Sequence, residues 1–331
     1  MKNFQLFILI TMPLVFCLSC GNTQEYVSEK DASLIMATDA FADTIFFQLI
    51  SDIEFSEKRL FFSDQKTSQI ITSDINLENP QLIKFDYGRG PLDIFQNTQI
   101  EVNKNKLIIN DAGNKKFIIR DLKNNVTTSF ANSAFRHGEF SVRDDIYYVP
   151  YGNDTSIKII DRFGLNGENR SPINIFSNDN ESYSKGSFHT LIYKDFLITI
   201  PVENTTVVQI RSLSNNQLIS ETNLSEIEPL INSSVQEFKS KGYPANASLM
   251  LFPDATIFNG KIYLIIAYYN KEGIPKSNLV LAISINENGI LEFDSKIHLR
   301  PDGWYEALEV MSRDQLVTFD HVNGTIELYE F

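Results

Sequence analysis

An all-β fold, a six-bladed β-propeller, is predicted by this sequence, and three observations carry the prediction. Short runs rich in Val, Ile, Phe, Tyr and Thr alternate along nearly the whole chain with gaps rich in Asn, Asp, Gly and Lys, the compositions of strands and of turns. Aligning the strongest strand of each segment exposes a recurring unit, with one tight polar turn before that strand and another after it. The sixth unit stops at Phe331 after its third strand, so a strand from elsewhere has to complete it.

The six aligned strands are Arg59-Leu-Phe-Phe-Ser63, Lys106-Leu-Ile-Ile-Asn110, Asp145-Ile-Tyr-Tyr-Val149, Asp195-Phe-Leu-Ile-Thr199, Lys261-Ile-Tyr-Leu-Ile265 and Gln315-Leu-Val-Thr-Phe319. A third strand follows each, such as Lys116-Phe-Ile-Ile-Arg120, and five units then show a third turn before a fourth strand. Tandem four-stranded units of this kind are blades of a propeller. A two-sheet sandwich with this many strands would be unusually large, and a β-helix would repeat more tightly. A propeller must close its ring or leave a sheet edge open. Residues 43–48 form a strand without a unit, and we expect them to pair with residues 327–331 as the outer strand of the sixth blade.

The interval between Phe196 and Ile262 is the widest and carries an insertion. Ile227, Leu230, Ile231, Val235 and Phe238 recur at helical period. Pro229 suits a first turn, and Lys239, Lys241 and Gly242 suit an ending. We expect one short helix over about 225–242, between blades 4 and 5.

The N-terminus reads as an address. Lys2 precedes an apolar run over residues 4–18, which is too short and too interrupted to span a bilayer. It ends in Cys17-Leu18-Ser19-Cys20-Gly21. A small residue before Cys at this position is a lipobox pattern, so residues 1–19 are expected to be a cleaved signal peptide. Cys20 would then carry lipid, residues 20–38 would form a tether, and residues 39–331 the propeller. Acyl chains add about 0.8 kcal/mol of membrane affinity per buried CH₂. Cys17 would leave with the signal, so no disulfide is expected and stability must come from a core. The 43% of apolar residues is ample for one.

The formal charge of −13 makes nucleic acid or an anionic membrane surface a poor partner. The lipid on Cys20 would be the only membrane attachment.

Gly88-Arg89-Gly90-Pro91-Leu92-Asp93-Ile94-Phe95 resembles the GxGPGEF-type loop after the first blade of six-bladed, TolB-like propeller lipoproteins of the Bacteroidetes. Leu92 and Asp93 depart from that pattern, which has Gly and Glu there. The resemblance implies a fold and an envelope address; it implies no reaction. One acid only, Glu25, follows soon after Cys20, where surface-exported members of that group carry an acidic cluster. The expected location is therefore the outer membrane, on its periplasmic face.

In a propeller the connections between blades gather on one face near the axis. Here they hold Arg89-Gly90, Arg136-His137-Gly138, Lys185-Gly186, Lys241-Gly242, and Arg300 ahead of Asp302-Gly303, with Tyr87, Phe95, Tyr243, Trp304 and Tyr305 nearby. One reading is a basic, aromatic-rimmed mouth that binds an anionic partner, an envelope protein or an acidic glycan, through arginine forks. Its candidate ligand-binding residues are Arg89, Arg136, His137, Lys185, His189, Arg300 and Trp304. The competing reading gives these basic groups to carbonyls and carboxylates of the adjoining blade.

The alternative class is a glycan-active hydrolase or lyase with an axial site. Candidate axial carboxylates are Asp52, Glu54, Glu101, Glu139, Asp254, Glu306 and Glu309, read as exposed strand residues because they form no recognisable spacing motif. The histidines His137, His189, His298 and His321 come from separate blades without paired spacing. No metal and no cofactor are therefore expected. No G-x-S-x-G elbow is present. Asp111-Ala-Gly-Asn114 and Asn153-Asp154 read as Asx-turns.

Overall fold

Alternating β-branched and aromatic residues dictate extended chain, and two-residue turns fold it back. The hairpins opening blades I, II, III and V turn on Glu57–Lys58, Lys104–Asn105, Asp144–Asp145 and Asn259–Gly260, all with positive φ. That is the geometry of tight hairpin turns matched to strand twist, and the Asn, Asp and Gly among these residues adopt it readily. The computed structural model describes residues 28–41, 45–131, 139–152, 158–164, 167–176, 187–203, 205–243 and 247–331.

The chain forms the six blades that its turns predict. The inner strands are Ile50–Ser56, Asn97–Asn103, Ser141–Arg143, Phe188–Tyr193, Ala255–Phe258 and Tyr305–Val310. Each contacts the next, and the last contacts the first, so the ring is closed. Second strands such as Arg59–Asp64, Lys106–Asp111, Phe196–Pro201 and Gln315–Asp320 are buried along almost their whole length. A continuous apolar run is what a strand covered on both faces needs.

Every pair of adjacent blades encloses its own apolar layer. Ile70, Ile100 and Leu107 join blades I and II, while Ile108, Phe117 and Tyr147 join II and III. Tyr148, Ile173 and Phe188 join III and IV, and Ile198, Ile210, Ile262 and Leu281 join IV and V. Tyr263, Val280 and Tyr305 join V and VI; Phe62, Ala307 and Phe319 join VI and I.

The ring closes through a different segment from the one expected. Ser33–Thr38 pairs antiparallel with Thr325–Glu330 as the outer strand of blade VI. Just before it, Ser28–Asp31 lies parallel to Leu291–His298 as a fifth strand of blade V. Residues 28–38 are thus part of the propeller rather than a tether. Residues 43 and 44 lie outside the described residues. Ile45–Phe46 pairs with Ala40–Phe41 instead. Phe41 and Phe47 plug the layer between blades VI and I, with ring centroids 4.8 Å apart and both near Phe62. The apolar character that marks residues 45–47 as a strand serves this plug.

A single helical turn, α1 (Leu224–Ile227), precedes the expected inserted helix, which is present as α2 (Pro229–Ser240). Asn223 caps α1; extended Glu228 breaks the pair and caps α2, with Pro229 in the first turn, where proline's missing N–H costs nothing. Ile231 is buried against blades IV and V, with Ile227, Leu230 and Val235 packed beside it. Among the described residues no helix is long and apolar enough to cross a membrane.

Asp64, Asp111 and Asp320 end the second strands of blades I, II and VI and are fully buried. Asp64 accepts N–H groups of Gln48, Leu49, Lys66 and Thr67. Asp111 accepts those of Phe95, Gln96 and Asn114, and Asp320 those of Trp304, Val322 and Asn323. Each carboxylate therefore ties the connection entering a blade to the turn after that blade's second strand. The Asx-turn expected at Asp111 is half of this role; Asn153-Asp154 lies outside the described residues.

Candidate axial site

Side chains alternate across a strand, so inner-strand residues two apart share the axial side. Asp52 with Glu54, Gln99 with Glu101, and Glu309 are delivered to the axis in this way. Glu139 and Asp254 sit just ahead of the inner strands of blades III and V, and His189 lies near the start of that of blade IV. Two cavities follow the axis. The one at the loop face, of about 460 Å³, is lined by Gln99, Glu139, His189, Glu203, Asp254 and Glu306 among others. The inner one, of about 270 Å³, is lined by Glu54, Glu101, Thr256 and Glu309, and shares Gln99 and Glu139 with the first. No Lys or Arg is among the described residues lining either cavity.

These carboxylates are not the exposed strand residues that the sequence implies. Asp52 and Asp254 are 3% and 4% exposed. Asp52 accepts the N–H of Ile100 at 2.6 Å, and Asp254 accepts those of Ala255 and Leu308. Both thus link one blade to another or to its own strand. Thr256 Oγ1 donates to Glu309 Oε2 at 2.6 Å.

Burial and mutual repulsion make the carboxylate forms costly. Burial pushes Glu101 up to about 8. Burial first, and then the neighbouring acids, hold Asp52, Glu54, Glu139 and Glu309 well above the usual carboxylate range. For Glu139 a hydrogen bond with Asp254 adds to the effect. Burial lowers His189, with Asp254 and the Phe252 carbonyl opposing it.

One ligating atom from each of Glu139, His189 and Asp254 lies within 4.8 Å of the others. His189 Nε2 is 2.9 Å from the carbonyl oxygen of Phe252, which fixes the hydrogen on Nε2. Nδ1 is thereby left as an acceptor; it takes the backbone N–H of Glu139 at 3.4 Å and lies 3.8 Å from Glu139 Oε2. A ring nitrogen tied to a backbone carbonyl, with the other beside a carboxyl and held by one long N–H contact alone, is an arrangement from which a histidine can ligate a metal. The same three groups could equally exchange protons.

Of the binding residues singled out from sequence, His189 alone contributes to this trio. Trp304 donates Nε1–H at 2.8 Å to Oε1 of Glu306, which lines the loop-face cavity. Arg89 is exposed and lines neither axial cavity, its guanidinium carbon 5.1 Å from the centre of the Phe95 ring. Its loop is locked in place: Asp93 Oδ2 accepts the N–H of Gly90, and Lys116 Nζ donates to the Gly90 and Pro91 carbonyls. A Cβ on Gly88 or Gly90 would stand 2.5 or 2.6 Å from Asp93 Oδ2, which accounts for both glycines of the motif.

Arg300 is turned into blade VI, 3.1 Å from Glu327 and 3.2 Å from Asp320. Its role there is the internal one, ion-pairing within the adjoining blade. Arg136, His137 and Lys185 lie outside the described residues. Glu139 and Asp254 are candidates for the axis on sequence but not for the binding set. Their convergence with His189 depends on blade register, which no local spacing records.

No protein-family model matches the chain, and no curated protein matches it. Solved structures do. The RRP9 WD40 repeats superimpose with a TM-score of 0.53 at 9% identity, over 92% of this chain and 98% of that one. The Cps50 (Swd1) β-propeller domain of Myceliophteria thermophila gives 0.52 at 9% identity, over 88% and 100%. A chain of a nidogen/laminin complex gives 0.51 at 10% identity, over 76% and 80%. At these identities the likeness is one of fold.

Proposed function

We propose that this chain is an envelope lipoprotein of the six-bladed TolB-like kind, anchored to the outer membrane through Cys20 and facing the periplasm. It works as a binding propeller. An envelope protein or glycan is taken on the loop face, over the axial cavity, through a divalent metal ion held by Glu139, His189 and Asp254.

The observation that carries this reading is the convergence of those three donors at the floor of a cavity without a described Lys or Arg. A divalent ion offsets the repulsion that otherwise keeps the neighbouring acids protonated. A mixed imidazole and carboxylate set suits zinc or manganese better than calcium. Three protein ligands leave positions open for a ligand oxygen, so an acidic channel can still hold a carboxylate or a sugar hydroxyl. Use of this fold for protein association has a precedent in the nidogen/laminin complex.

In-cell crosslinking tests this reading, comparing wild type with the Glu139→Gln/His189→Asn variant at equal level, with and without a chelator. We expect a partner captured by wild type and lost both in the variant and on chelation. Identical partner sets under all conditions would contradict it.

A second reading, a hydrolase or lyase, is favoured by one observation. A carboxyl held protonated at Glu139 lies beside an imidazole held neutral at His189, and groups pushed apart in this way divide acid and base roles.

A further inference from the structure

A further cavity, of about 580 Å³, is not on the axis. It opens between blades I and II at the end opposite the loop face, where the hairpin turn at Ser56–Glu57 meets the turn at residues 122–125. Its rim carries Arg59, Lys84, Arg120 and Lys123 against a single acid, Glu57. In a chain of net charge −13 this is a local reversal of sign.

None of the four cations forms an ion pair with a carboxylate among the described residues. The partners of the two arginines are neutral. Arg59 donates to Thr72 Oγ1 and Gln81 Oε1. Arg120 donates to the Lys84 carbonyl and Asn125 Oδ1, with its guanidinium carbon 5.4 Å from the centre of the Phe85 ring. Asp74, opposite Arg59 in the sheet, feels the Arg59 charge without pairing with it, and spends its hydrogen bonds on its own turn, accepting from Asn76, Glu78 and Asn79. Two guanidinium groups are thus held in place by neutral contacts that use Nη2 of Arg59 and one N–H each of Nη1 and Nη2 of Arg120, which leaves three N–H groups on each to bind a carboxylate.

The floor is apolar. Ile83, Val102 and Leu122 are half-buried edges of the layer that joins blades I and II, and Leu82 stands beside them. Phe61 is the one aromatic among the described lining residues and is 4% exposed, so it offers no open face for a sugar to stack on, while the aliphatic surfaces suit a branched side chain.

We infer that this inter-blade cleft binds an acidic peptide segment, placing a carboxylate between Arg59 and Arg120 and a neighbouring aliphatic side chain on Ile83, Val102 and Leu122. The site is independent of the axial metal reading.

The test is selection of a displayed random dodecapeptide library on the purified protein, followed by affinity measurement on a Lys84→Glu/Lys123→Glu variant. Both lysines are exposed, so the variant should fold, and its circular dichroism and melting curve check this. We expect recovered peptides with Asp or Glu beside Leu, Ile or Val, binding the variant at least tenfold more weakly. Failure to enrich such sequences would overturn the proposal, as would peptides that bind both proteins equally. A sulfated disaccharide that binds while no peptide does would overturn the peptide assignment.

Discussion

Nε2 of His189 stands 2.9 Å from the carbonyl oxygen of Phe252, and this one contact decides what the axis can do. It commits the Nε2 hydrogen and leaves Nδ1 an acceptor, which takes the Glu139 backbone N–H at 3.4 Å and lies 3.8 Å from the Glu139 carboxyl. Phe252 precedes Asp254 by two residues, so the segment that orients the imidazole also supplies the carboxylate. A buried histidine with the other tautomer would offer the channel a donor and no ligand.

Glu101 makes a pH prediction. Its folded pKa of about 8 lies above the ordinary 4.5, so the folded state binds the extra proton between those values. Stability from this group is fully present below about 4.5 and is lost as pH rises toward 8, at about 1.4 kcal/mol per pH unit at most. We expect the melting temperature of metal-free protein to fall across this window. Glu101→Gln should flatten the fall and melt above wild type at pH 8. An unchanged slope in the variant would place the titration elsewhere.

Arg300 should matter for stability and not for capture. Glu327 and Asp320 are fully buried, and Arg300 is 30% exposed at the side chain. Glu327 also accepts hydrogen bonds from Tyr305 and Tyr329. Arg300→Ala leaves two buried acids without their cation, at a cost of about 2–3 kcal/mol, below the value for a fully buried pair. Denaturant titration measures this. A loss of partner capture at unchanged stability would return Arg300 to the binding mouth.

Asp111→Ala removes the acceptor of Phe95, Gln96 and Asn114 N–H groups. The stranded amides should cost about 2–3 kcal/mol, and hydrogen exchange should speed first at Phe95 and Gln96. Uniform loss of protection across blade II would contradict a local latch.

Cys20→Ser tests the address. We expect the variant to leave the membrane fraction and to lose incorporated fatty acid, with its melting temperature unchanged. Retention in the membrane would argue against lipid attachment at Cys20.

The blades were legible because strand and turn chemistry is local: each hairpin carries its own turn residues and each second strand its own apolar run. The closing strand was not. Ser33–Thr38 lies on the outer edge of blade VI, where Leu34, Ile35 and Met36 are 38–47% exposed. An edge strand there buries little, so it leaves a weak pattern, while the stronger apolar stretch at 45–47 is spent on a plug. The helical break at Glu228 was hidden because helical period continues across it.

The site was legible as an inventory and not as an arrangement. Every acid lining the axial cavities except Glu203 could be named from the sequence, but burial changes their meaning. Asp254, His189 and Glu139 meet because three successive blades converge on one axis, a relation set by ring closure. Of the basic residues near glycine, Arg300 was misplaced for a related reason. Arg300 faces acids of its own blade, contributed by residues later in sequence.

Calorimetric titration of the purified, chelator-treated protein with zinc and with manganese tests the central claim most directly. The account predicts binding of one ion per chain, with proton release at neutral pH as Glu139 deprotonates, and at least tenfold weaker binding in His189→Asn. No saturable binding of either ion, or equal binding in a correctly folded His189→Asn variant, would contradict it.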